Sequence, residues 1–160
     1  MLEKLSMTHI AQLYSNYSIA KITISEILPI YNIELSCYPN PWTKNNLIDE
    51  ISNVLGFNWC IKNNDNEILG YIFSYIVEDE MFITNICVHP KHHNKKIATY
   101  LLKNIISKVL ITAVKKVFLE VREKNLIAIK LYSSNGFTVD CVRRNFYTDG
   151  ESAIMMHLDL

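Results

Sequence analysis

An acid inside an apolar run constrains this chain more than any other feature. Residues 116–121, Lys-Val-Phe-Leu-Glu-Val, are rich in β-branched and aromatic side chains and read as a short buried strand, yet one of them is Glu120. A carboxylate in such a setting is costly unless it has a partner or a task. Asn125 then stands where a helix N-cap is wanted. Leu126, Ile127, Ile129 and Leu131 recur at helical spacing. Gly136 supplies the positive-φ residue that commonly ends a helix, and Phe137 opens another apolar run. The stretch is a strand, a short helix and a second strand, with an acid held near the junction of the first two.

The remainder of the chain sets limits. Its 160 residues suit one domain, 1–160, with a sizeable core. With 49% of residues hydrophobic, a disordered chain is excluded. Sixteen basic and sixteen acidic residues give a formal net charge of +0, which argues against a general nucleic-acid or membrane-surface binder, though not against a local basic patch. Cys37, Cys60, Cys87 and Cys141 are scattered, with no Cys-x-x-Cys pair, and read as reduced thiols of a cytosolic protein. The N-terminus lacks a basic-then-apolar signal arrangement, and no apolar run reaches the ~20 residues of a membrane helix. The expectation is a soluble cytoplasmic protein.

In order, two helical segments are expected at 6–16 and 22–33, the second kinked or shortened by Pro29. Residues 37–43, with Pro39 and Pro41, form a turn, and Thr43 is placed to cap a helix over 44–54. Strands at 57–61, 67–77 and 81–88 form an antiparallel meander through turns at 62–66 and 78–80. A loop at 89–95 leads to a helix at 96–109. The strand at 116–121 is reached through that helix and should lie parallel to its neighbour. A helix at 126–134 and strands at 137–143 and 153–158 complete the order. The fold class is α/β, an α+β mixed sheet of six to seven strands flanked by helices on both faces.

Asn125, Ala128, Tyr132, Gly136 and Phe137 match the pattern Asn-x-x-Ala-x-x-x-Tyr-x-x-x-Gly-Phe, and so the chain resembles the GNAT superfamily of N-acetyltransferases. With Leu119-Glu-Val-Arg122 before it, the stretch is most similar to the ribosomal-protein-alanine acetyltransferases (RimI type). Those bacterial enzymes acetylate the N-terminal alanine of one small-subunit ribosomal protein. The resemblance implies the GNAT fold for nearly the whole chain, acetyl-CoA as co-substrate, no metal, and a ribosomal protein N-terminus as partner, with the enzyme a monomer. It implies Glu120 as general base, Tyr132 as general acid and Asn125 as a contact to acetyl-CoA. A similar Pro-Trp-Ser/Thr element lines the peptide entrance in that family, which points to Trp42. Residues 143–147, Arg-Arg-Asn-Phe-Tyr, resemble a segment bordering the peptide cleft, which makes Asn145 and Tyr147 substrate candidates.

Residues 86–102 have the strand–loop–helix layout of a phosphate cradle, in which backbone N–H groups and the helix dipole face an anion. In the family this loop is Gln/Arg-x-x-Gly-x-Gly/Ala and wraps the pyrophosphate of CoA. His93, Lys96 and Ala98 fall on those three positions; Ala98 fits, His93 and Lys96 do not. Lys96 is tolerated there if its φ is helical, because a Cβ then causes no clash. The expected cofactor contacts are the backbone of Ile86, Cys87 and Val88, then His93, Asn94, Lys95, Lys96, Ile97, Ala98 and Thr99. His89, His92 and His93 lack an acidic or cysteine partner spaced to complete a tetrahedral metal site. A basic loop near CoA phosphates is the favoured reading, and a merely solvated loop the alternative.

Acetyl transfer to an amine requires a neutral amine, although an α-amino group has a pKa of roughly 7.7–8.0. It also requires donors aimed at the carbonyl oxygen and a proton for the leaving thiolate. Glu120 can take the amine proton, Tyr132 can supply the thiolate's, and the Val88 N–H can serve the carbonyl. Each residue also has a purely structural reading: Glu120 paired with Arg122 or a lysine, Tyr132 as a core aromatic, Trp42 as a packing anchor, 143–147 as an ordinary hairpin. Cys87 as nucleophile would need an activating base, so direct transfer is expected. Two alternatives stay open beside N-terminal acetylation. One is a GNAT enzyme for a small amine or a lysine side chain; the other, motivated by His93 and Lys96, is a degraded fold that only binds.

Overall fold

The computed structural model describes residues 16–160. Seven strands build one open sheet: β1 Tyr17–Lys21, β2 Trp59–Asn63, β3 Ile68–Val77, β4 Glu80–Val88, β5 Lys116–Arg122, β6 Thr138–Arg143 and β7 Ala153–Asp159, in the order β1-β2-β3-β4-β5-β7-β6. Four helices flank it: α1 Ile27–Cys37, α2 Lys44–Ser52, α3 Ile97–Val109 and α4 Leu126–Ser133. Every strand pair is antiparallel except β4 and β5, which the intervening α3 crossover makes parallel, as the sequence predicts.

The two faces of the sheet carry separate cores. On one, Ile97, Leu101, Leu102, Ile105 and Val109 of α3 cover Ile72, Met81, Val117, Leu119 and Val121, joined by Tyr132 of α4. Each such aliphatic side chain contributes about 1.5–3 kcal/mol by leaving water. On the other face, Ile30 and Ile33 of α1 and Leu47 of α2 cover Cys60, Tyr71, Phe73 and Cys87. That second layer lies over the β2–β4 half. Glu120 on β5 is exposed.

The amino-terminal reading needs correction. The expected helix at 6–16 lies, but for Asn16, outside the described residues. The expected helix at 22–33 begins later and ends later than proposed, because the chain first forms β1, an edge strand too short to register as alternation. Thr23 and Glu26 form a capping box, with the Thr23 N–H donating to Glu26 Oε2 at 2.8 Å, and α1 follows. Pro29 sits in the first turn of α1, where its missing N–H had no intrahelical acceptor, so it neither kinks nor shortens the helix. The helix expected from Lys96 starts at Ile97; Lys96 itself is left-handed, with φ 57°.

One irregularity positions the site. Ser74 pairs with Ile83 and Phe73 with Asn85, so Thr84 is an extra residue in β4, a bulge. Bulges bend the strand that carries them. Pairing between β4 and β5 stops at Ile83 and Leu119, while β4 continues to Val88 and β5 to Arg122. The two parallel strands therefore separate into a gap at their carboxyl ends.

Candidate active site

The gap has a polar backbone edge. The His89 N–H donates to the Leu69 carbonyl of the neighbouring chain segment at 2.9 Å. By the alternation of an antiparallel ladder, Ile86 and Val88 then turn their N–H and C=O groups the other way, toward the gap. Cys87 is buried on the α1 side. Burial, with the Cys37 thiol beside it, pushes the Cys87 thiol well above its ordinary range, so it stays protonated and is no nucleophile.

Glu120 follows Leu119, the last β5 residue paired with β4. Burial raises the Tyr38 phenol, whose hydroxyl approaches the Ile86 carbonyl, and Tyr132 adds to that rise, which puts Tyr132 near the same edge. Glu120 forms no ion pair among the described residues, so the structural pairing with Arg122 fails. Arg122 instead binds Asp149 at 2.8 Å and Glu151 at 2.9 Å, and its guanidinium lies 3.9 Å from the Tyr147 ring centre. Burial raises the Tyr147 phenol, and nearby Glu120 adds to the rise, which brings these two sequence candidates together. Tyr132 is only 5% exposed, and its ring packs 5.6 Å from Phe137. Burial raises its phenol above the ordinary range, Tyr147 adds to this, and the hydroxyl is therefore protonated near neutral pH. That hydroxyl makes no hydrogen bond among the described residues.

Asn125 caps α4, its Oδ1 accepting the Ala128 N–H at 3.1 Å, so the amide NH2 remains for a ligand. Gly136, at φ 94°, terminates the helix as expected. Asn145 sits at φ 52° on the exposed turn between β6 and β7, two residues before Tyr147.

At the β4–α3 loop, no side chain among the described residues caps α3, so the N–H groups of its first turn, Ile97, Ala98 and Thr99, have no such partner there. Asn94 (φ 61°) and Lys96 (φ 57°) both take the left-handed conformation, contrary to the helical φ assumed for Lys96. The lysine thus keeps the backbone shape a glycine would allow, and its side chain and that of Lys95 are exposed. His93, although exposed, places its Nε2 2.7 Å from the Val88 carbonyl oxygen. His89 Nδ1 accepts the Lys91 N–H, and His92 lies 3.8 Å from Glu67. The His89 and His92 rings pack edge-on at 6.0 Å, and the described residues contain no group arranged to hold a metal ion.

Sequence reasoning missed one cluster. Glu34 of α1 is fully buried. Its carboxylate accepts from the Tyr71 hydroxyl, from Asn85 Nδ2 at 2.6 Å and from the Trp42 N–H at 3.1 Å. The Tyr38 hydroxyl donates to Asn85 Oδ1 at 3.1 Å and approaches the Ile86 carbonyl at 3.3 Å, on the gap edge. The Trp42 ring packs 5.8 Å from Phe73, so its anchoring role is present whatever else it does. The available signals were faint: an acid among Ile30 and Ile33, and an asparagine inside the apolar β4 run.

Comparison with known proteins agrees with the fold. The family described as "Acetyltransferase (GNAT) family" matches residues 27–137. The [ribosomal protein bS18]-alanine N-acetyltransferase of Escherichia coli (strain K12) is 30% identical over 146 residues, 89% of this chain and 97% of that protein. The crystal structure of the ribosomal-protein-S18-alanine N-acetyltransferase from Escherichia coli superposes with a TM-score of 0.84 at 29% identity, over 89% of this chain and 93% of that one. A GNAT family acetyltransferase from Elizabethkingia anophelis with acetyl-CoA bound gives 0.76 at 25% identity, over 91% and 99%. The chain belongs to the acetyltransferase (GNAT) family, as an acetyl-CoA-dependent N-acetyltransferase.

Proposed function

We propose that the chain transfers the acetyl group of acetyl-CoA to the N-terminal alanine amine of a small-subunit ribosomal protein, the bS18 counterpart, by direct attack. One observation carries the reading: at the end of β5, where it parts from β4, Glu120 has no ion pair and the nearby Tyr132 hydroxyl no hydrogen bond among the described residues. The names of the relatives support the choice of alanine and of the ribosomal protein.

The site fits acetyl-CoA. Ile86 and Val88 present strand-edge groups to a pantetheine arm, which would lie along them as an added strand. The uncapped first turn of α3, with Lys95 and Lys96 beside it, suits a pyrophosphate. The left-handed Lys96 preserves the cradle, which counts against the degraded binding module. The Asn125 amide completes the contacts. Acetyl-CoA supplies a thioester carbon open to attack by an amine.

The chain's own groups do the rest. Glu120 takes the proton of the α-ammonium, directly or through water, so that the amine is neutral. The Val88 N–H donates to the carbonyl oxygen of the thioester. Tyr132, protonated at neutral pH before attack, donates its proton to the departing sulfur, and the second proton that the nitrogen sheds on becoming an amide restores the phenol. Trp42, Asn145 and Tyr147 border the peptide.

The test uses two synthetic peptides with acetyl-CoA: one with the alanine-led N-terminal sequence of the bS18 counterpart, the other identical but with a blocked α-amine and a free lysine. Mass spectrometry should find one acetyl group on the first and none on the second. Equal kcat/KM for the blocked peptide, or for a free polyamine, would overturn the reading in favour of a lysine or small-amine acetyltransferase.

A further inference from the structure

We propose that Glu34 is a positioning residue that fixes the peptide-entrance turn against the gap and thereby selects for a small first residue on the acceptor. The proposal rests on the reading of the site as an N-terminal acetyltransferase.

Glu34 is a fully buried acid with no ion-pair partner among the described residues. A buried carboxylate without a cation is expensive, so its hydrogen bonds have to hold it. They come from three different places: Tyr71 on β3, Asn85 on β4 and the backbone of Trp42 just before α2. Two of the three lead onward to the site. Asn85 holds the Tyr38 hydroxyl, which also reaches the Ile86 carbonyl. Trp42 begins the entrance wall.

The turn between α1 and α2 needs such a tie. Residues 38–43 contain Pro39 and Pro41, which have no N–H to donate. Within this turn the Trp42 N–H is spent on Glu34 and the Thr43 N–H on Asn46, at 2.9 Å. One carboxylate thus anchors both ends of the exposed wall, Tyr38 through Asn85 and Trp42 directly. Where that wall stands determines the room above the carboxyl end of β4, and with it the size of side chain that can accompany an amine to Glu120. Packing alone would be served by an apolar residue at this buried position; a carboxylate with three donors fixes one geometry.

The test compares the unmutated enzyme with Glu34→Gln, in which one acceptor oxygen becomes an NH2 facing donors. Acetyl-CoA affinity is measured by calorimetry, and kcat and KM with peptides led by alanine and by leucine. We expect acetyl-CoA affinity to stay within about twofold. KM for the alanine peptide should rise roughly tenfold, the size of one hydrogen bond to a charged group. The preference for alanine over leucine should shrink by a similar factor. Unchanged KM and preference in a folded variant would overturn the proposal, as would equal losses in cofactor affinity and peptide KM, which mark general loosening. If Glu34→Gln does not fold, Tyr38→Phe carries the test, because it removes only the hydroxyl that Asn85 holds: a smaller shift in the same direction supports the proposal, and no shift overturns it. If the unmutated enzyme acetylates no alanine-led peptide, the functional reading falls and this inference with it. If it does so and the variants behave identically to it, this inference alone falls.

Discussion

Gly70 and Cys87 meet back to back across β3 and β4: a Cβ placed on Gly70 would lie 2.6 Å from the Cys87 carbonyl oxygen and 3.2 Å from Val88 Cα. Both neighbours are backbone, and neither can rotate away. The glycine is therefore what lets β3 sit close behind the part of β4 that borders the gap.

Gly70→Ala should push that edge forward. Overpacking of this kind typically costs 1–3 kcal/mol, so the melting temperature should fall. Because the displaced segment carries Ile86 and Val88, acetyl-CoA affinity should fall as well, by a larger factor than peptide KM. Calorimetric titration of the folded variant checks this, and unaltered affinity would mean that the β4 edge does not bind the cofactor.

Lys96 holds a left-handed φ of 57° without the freedom of glycine. That conformation costs a non-glycine residue roughly 1–2 kcal/mol. Lys96→Gly should accordingly raise stability by about 1 kcal/mol while flattening the salt dependence of acetyl-CoA binding. A thermal melt together with titrations at two salt concentrations separates the two effects; a lower melting temperature would contradict the strain argument.

Tyr132→Phe should leave acetyl-CoA binding intact and slow turnover. A thiol has a pKa near ~8.5, so the thiolate departs fairly well unassisted, and a loss toward the low end of the ~10²–10⁴-fold range is expected. Single-turnover transfer at saturating acetyl-CoA is the measurement. Equal rates for the two proteins would remove Tyr132 from the chemistry.

Acid stability should depend on Glu26. Burial alone would raise its pKa, but the Thr23 hydroxyl and N–H, with Lys62 at 3.1 Å and Ser25 nearby, lower it from 4.5 to about 2. A carboxyl lowered on folding stabilises the protein above its unfolded pKa and loses that contribution as pH falls through the folded value. Thermal melts of the unmutated protein and Glu26→Gln should differ at pH above 4.5 and converge toward pH 2. A constant difference across that window would exclude the linkage.

Local patterns were readable in the sequence where one residue decides the geometry. Asn125 as a cap and Gly136 as a stop both follow from side-chain chemistry alone, and the parallel β4–β5 pairing follows from the helix between the strands. Features that depend on distant partners were not readable. Glu34 looks like one more acid in a helix until its donors at Tyr71 and Asn85, 37 and 51 residues away, are brought to it. The bulge at Thr84 leaves no mark in an apolar run, although it opens the gap on which the site depends. β1 is too short for its alternation to outweigh the helical spacing beyond it. At Lys96 the residue type pointed to helical φ, and the loop's own requirement overrode it.

The central claim, that Glu120, without an ion pair among the described residues, prepares the α-amine for attack across the β4–β5 gap, is tested most directly by single-turnover acetylation of the alanine-led peptide by Glu120→Gln at saturating acetyl-CoA. The variant should fold and bind acetyl-CoA normally yet transfer ~10²–10⁴-fold more slowly at neutral pH, with part of the rate recovered at higher pH where the amine is already neutral. A Glu120→Gln enzyme with the unmutated rate across that range would contradict the account.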